Sequence, residues 1–82
     1  MTKKQMKEEL LWNVRFNAEQ AREWFRKCDA KKIENCEAEY RLYGEYQARA
    51  FETINIMETL GFITEAEGEE LLSKTIKTTN EY

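Results

Sequence analysis

The chain has 82 residues, 35% of them charged and 12% aromatic, with a formal net charge of −3, no proline, no histidine and three glycines. That length allows one domain spanning residues 1–82. The scarcity of glycine and proline excludes a β-sandwich, which needs a turn every 8–12 residues or so, and no apolar stretch approaches the roughly 20 residues of a membrane span.

Charge divides along the chain. Residues 1–32 hold nine Lys/Arg against five Asp/Glu, and residues 33–82 hold four against eleven. Oppositely charged helices packed side by side account for this, as does a bipolar surface. The basic N-terminus runs into charged helix rather than an apolar core segment, so no signal peptide is expected. A cytoplasmic location follows as the default, with Cys28 and Cys36 as buried thiols. A disulfide tying the hairpin is the alternative.

The first predicted helix runs from Thr2 or Lys3 to about Lys27. Its seam is Leu11, Val14, Ala18, Ala21, Phe25 and Cys28, at alternating spacings of three and four, widened by Leu10 and Trp24. A second seam, Ile33, Cys36, Tyr40, Tyr43, Gln47, Ala50, Ile54 and Met57, is out of phase with the first by one residue. A turn at Asp29-Ala30-Lys31-Lys32, with Asp29 as helix N-cap, explains the slip. One continuous helix with a skip is the other possibility. Two long helices joined by a short turn lie antiparallel.

Leu60-Gly61 is a helix-stop signal, since glycine tolerates the left-handed conformation. Thr64 and Glu67 then form an S/T-x-x-E capping box. The third helix is expected from Glu65 to about Lys77, packing through Leu71, Leu72 and Ile76, with residues 78–82 frayed. The predicted fold class is therefore all-α: an antiparallel helical hairpin of two long helices plus a short C-terminal helix. Gly44, inside the second helix, is either a place of close helix approach or merely tolerated.

Catalytic chemistry is poorly provided for. Without histidine there is no Ser-His or Cys-His pair, no zincin motif and no Glu-x-x-His di-iron site. The three glycines cannot build a phosphate-cradling loop. Carboxylates that share a face, Glu34 with Glu37 or Glu65 with Glu69, sit among other charges on wet surface. Two cysteines eight apart do not make a zinc site. No catalytic residue, cofactor or metal is expected, and the chain reads as a binding protein rather than an enzyme.

Trp12 and Phe16, four apart, stack on one face of the first helix, roughly opposite its core seam. Either they mark a contact surface for a second copy or a foreign protein, or the third helix covers them. The tyrosines of the second helix divide: Tyr40 and Tyr43 fit the core seam, whereas Tyr46 points outward. Trp12, Arg15, Phe16 and Tyr46 are the candidate partner-binding residues. The basic run Arg15, Arg22, Arg26, Lys27, Lys31 and Lys32 is interleaved with Glu19 and Glu23 in an acidic chain, which argues against nucleic acid as the partner.

The stretch Met57-Glu58-Thr59-Leu60-Gly61-Phe62-Ile63-Thr64-Glu65-Ala66-Glu67-Gly68 resembles the endings of small helical accessory proteins from phages and mobile elements of Gram-positive bacteria. Some proteins of that kind are anti-CRISPR proteins, which bind and block a host nuclease. The resemblance implies a context, a larger host protein as partner, and carries over no site residue. The sequence-based expectation is a non-enzymatic inhibitor of that type. A structural homodimer and a small nucleic-acid-binding regulator are the alternatives.

Overall fold

The computed structural model describes residues 1–31 and 36–80. Three helices occupy them: α1 (Lys3–Lys31), α2 (Glu37–Thr59) and α3 (Glu65–Asn80). The first opens on a reciprocal capping box. The Thr2 amide donates to Gln5 Oε1 at 2.8 Å and the Gln5 amide donates to Thr2 Oγ1 at 3.1 Å, so two otherwise unpaired helix-start groups are satisfied.

Pairing across the hairpin is antiparallel: Asn13 meets Thr53, Phe25 meets Tyr43 and Cys28 meets Cys36. Val14, Ala18 and Ala21 of α1 and Ala50, Ile54 and Met57 of α2 are buried, as the two seams require. Small residues at the contact let two helix backbones approach closely. Phase is lost toward the start of α2, where Tyr43 is buried but Tyr40 is 59% exposed. A strict 3–4 alternation repeats every 3.5 residues and a helix every 3.6, so the far end of a long seam drifts off the buried face.

The predicted turn needs correction. The first helix continues to Lys31, which places Asp29 inside it rather than at an N-cap, and Cys36 is the N-cap of α2. Lys32, Ile33 and Glu34 lie outside the described residues, as do Glu81 and Tyr82. The expectation of thiols is also corrected. Cys28 and Cys36, both buried, form a disulfide with their Cα atoms 4.9 Å apart, within the range such a bridge needs.

At the end of α2 the helix stop has the form the sequence suggests. Gly61 takes φ 78°, its amide donates to Glu58 O, and the Phe62 amide reaches back to Met57 O. This pair of bonds is a Schellman motif. It swings Phe62 and Ile63 onto the core beside Leu10, Leu11 and Leu71. The capping box at α3 is present as predicted: the Thr64 amide donates to Glu67 Oε1 at 2.9 Å and the Glu67 amide to Thr64 Oγ1 at 3.1 Å.

The third helix departs from expectation in two ways. It runs to Asn80, with Thr79 fully buried where fraying was predicted, and its buried face is Gly68, Thr75 and Thr79, leaving Leu72 and Ile76 exposed. The threonines bury cheaply because Thr75 Oγ1 donates to Leu71 O and Thr79 Oγ1 to Ile76 O. A hydroxyl satisfied by its own helix behaves as a small apolar group. Gln47 Nε2 donates to Thr79 Oγ1 and to Tyr43 Oη, and Tyr43 Oη donates to Asn80 Oδ1. Gly68 packs against the Glu58 side chain, and a Cβ there would displace the flexible end of that carboxylate.

Three outcomes are expected. The disulfide closes a short ring, the two cysteines being eight apart in sequence, so its reduction costs about 2–3 kcal/mol. The thermal midpoint falls on adding a thiol reductant, and the Cys28→Ser/Cys36→Ser double variant does not respond. Gly44 is exposed, and a Cβ added there would meet open space, so Gly44→Ala stabilises by about 0.5–1 kcal/mol in urea titration. Backbone and side-chain hydrogen bonds from Thr64 hold the Glu67 carboxyl below its usual 4.5. A depressed carboxyl stabilises the fold above its unfolded pKa and loses that contribution as pH falls through its folded pKa. The advantage of wild type over Glu67→Gln is therefore at its fullest above 4.5 and declines to a constant as the pH falls on through the lower, folded pKa.

Candidate protein-docking face

The site follows from where α3 does not go. That helix lies along the side of the hairpin marked by Gln47 and Glu58 of α2, where its own Thr79 and Gly68 meet them. The other side of the hairpin is left open, and Trp12 and Phe16 stand on it. Their rings stack with centroids 5.1 Å apart and planes 13° from parallel, and they are 61% and 41% exposed. Covering by α3, one of the two readings the sequence left open, does not occur.

The two rings form one lip of a groove of about 470 Å³ between α1 and α2. Tyr46, Arg49 and Ile56 form the opposite lip. The Arg49 guanidinium lies over the Tyr46 ring at 5.0 Å, a cation–π contact that holds both side chains against the helix. Ile56 is exposed, as is Leu60 one turn further on.

Polar groups make the floor, and they are already engaged. Asn17, nearly fully buried, donates through Nδ2 to Asn13 O at 2.9 Å and to Asn13 Oδ1 at 2.7 Å. The single proton of Thr53 Oγ1 is shared between Asn13 Oδ1 at 3.2 Å, across the hairpin, and Arg49 O at 2.9 Å in its own helix. This short network bridges the two helices beneath the aromatic lip. Among the described residues, no buried side-chain polar atom lacks a hydrogen-bond partner.

Three of the four predicted contact residues, Trp12, Phe16 and Tyr46, thus meet in one groove. Arg15 does not line it. At about 100° per residue Arg15 lies well round the helix from the Asn13–Asn17 floor. Sequence reasoning passed over Asn13, Asn17, Arg49, Thr53 and Ile56. The available signal was the Asn13/Asn17 pair, two short amides one helical turn apart and able to bond each other. The basic run is partly engaged: Arg26 pairs with Glu23 at 3.4 Å and the Lys27 ammonium sits 4.2 Å from the Trp24 ring centroid.

Among the described residues no three His, Cys, Asp or Glu gather where they could hold a metal ion, and no helix is long and apolar enough to cross a membrane. Comparison with known protein families, curated proteins and solved structures finds no match to this chain.

Proposed function

We propose that this chain acts by binding protein, without catalysis, and that the groove between α1 and α2 is where it binds. The observation that carries the reading is the solvent-facing Trp12–Phe16 stack, with Tyr46 and Ile56 across from it. Tryptophan and tyrosine supply large contact area with few rotatable bonds, and they dominate the energetics of protein interfaces. The groove offers two amides, two hydroxyls, one guanidinium and one carboxylate, groups suited to recognition, and the chain has no histidine to serve as a general base.

An accessory role in a phage or mobile element, directed at a larger host protein such as a defence nuclease, belongs to the same proposal. Its support is the resemblance of the Met57–Gly68 ending. The net negative charge and the interleaved carboxylates weigh against nucleic acid as the groove's occupant.

The test is site-specific photo-crosslinking in cells that express the chain. A photoreactive residue at Phe16 is expected to give discrete protein adducts, whereas the same residue at exposed Lys74 on α3 gives none of them. Equal labelling from both positions, or no adduct from Phe16, would sink the reading.

A further inference from the structure

We infer that the occupant of this groove is a second copy of the chain, related by a two-fold axis, so that two hairpins join their open faces. The inference rests on the protein-docking reading above and names its partner.

A second helical stripe on α2 supplies the first argument. Besides its core seam, the helix carries Leu42, Tyr46, Arg49, Thr53, Ile56 and Leu60 at spacings of 4, 3, 4, 3 and 4. That is the periodicity of a helix-packing seam. At about 100° per residue it lies roughly a quarter-turn round α2 from the core seam, on the side away from Glu58 and Gln47, where α3 packs. A helix with two packing stripes and one of them open belongs to a larger bundle than its own chain provides. Four of its residues, half-buried Tyr46 and Thr53 with exposed Arg49 and Ile56, face the Trp12–Phe16 lip across the groove.

The sizes agree. The chain exposes 5971 Å² of surface, and a compact protein of its 9.9 kDa mass would expose about 5200 Å². The excess belongs to an elongated shape, 45 × 25 × 17 Å, whose long flank has room for the roughly 800 Å² that each partner contributes to a stable interface. The radius of gyration, 14.0 Å, likewise exceeds the value of about 12 Å expected for a compact chain of this length. The interior is correspondingly thin, with Met57 and Thr79 the largest fully buried side chains. Small domains of this kind gain their missing core by association.

Charge identifies the occupant as this same surface. Arg49 and Glu52, three apart on α2, both border the groove. A two-fold axis passing between them sets each Arg49 against the partner's Glu52, so the face is complementary to itself. Asn17 Nδ2 and Asn13 Oδ1 on the floor are already paired with each other, which lowers the cost of covering those two groups.

Sedimentation velocity over a concentration series tests this on the full oxidised chain. The expected species is a dimer, twice 9.9 kDa. Trp12→Ala with Phe16→Ala weakens dimerisation by about thirtyfold or more while the circular dichroism spectrum stays helical. Leu72→Ala with Ile76→Ala, on the exposed side of α3, leaves the dimer intact. Arg49→Glu and Glu52→Arg each weaken it by about tenfold, and the two together restore it. A dimer untouched by the aromatic double variant, or charge reversals that fail to compensate, overturns the inference. A monomer at every concentration also overturns it. If Phe16 then still crosslinks to another protein, the docking reading survives with a foreign occupant; if it does not, both fall.

Discussion

The close antiparallel contact of α1 with α2 is the constraint from which the other features descend. Ala18, Ala21 and Ala50 are buried there with almost no exposed surface. Side chains that small add little apolar area, at about 25 cal/mol per Å², but they permit the backbones to approach. The cost is that the larger apolar side chains find little room between the two helices. Those that are buried, Val14, Ile54, Met57 and Ile63, gather toward the turn, with Leu10, Leu11, Phe62 and Leu71 packed round them. Trp12, Phe16, Ile56 and Leu60 remain outside.

The third helix completes one side of this hairpin with an uncommon choice of residues. Its packed face sets a glycine and two threonines beside Leu71, while Leu72 and Ile76 stay exposed. The glycine packs against Glu58, and the threonines and Asn80 take part in hydrogen bonding that reaches Gln47 and Tyr43 on α2. Hydrogen bonds of this sort fix register more than they add stability, since each is worth only about 1 kcal/mol net. The helix is thereby held to one side of the hairpin, and the aromatic side stays open.

Much of this was legible in the residues. The 3–4 alternation of the two seams gave the hairpin, and Leu60-Gly61 with Thr64 and Glu67 gave the turn into α3 and its start. Trp12 and Phe16 stood out because they fall opposite the core seam. The misses share a cause, which is that the chemistry of a residue was judged apart from its surroundings. Thr75 was not among the expected packing residues and Thr79 was placed in a frayed end, yet their hydroxyls bond to their own helix and both are buried. Asn17 drew no reading at all, yet it is buried, with Asn13 one turn earlier accepting from its Nδ2. Cys28 and Cys36 were weighed by compartment, and the closeness of the two helix ends that pairs them was not visible from spacing alone. The end of α1 was placed four residues short because Asp29 has the composition of a cap, and composition does not say which of two helices a residue joins.

The groove lies between two fixed ends. On one side of it the Cys28–Cys36 bridge ties the helices covalently, about 24 Å along α1 from Trp12 at 1.5 Å per residue. On the other, the Schellman turn folds Phe62 and Ile63 onto the first turns of the α1 core. Lips held at both ends cannot splay independently, and the Asn13–Thr53 bond crosses between them in the middle. A partner therefore meets a surface whose conformational freedom was surrendered when the chain folded, so ordering that surface takes little from the free energy of association.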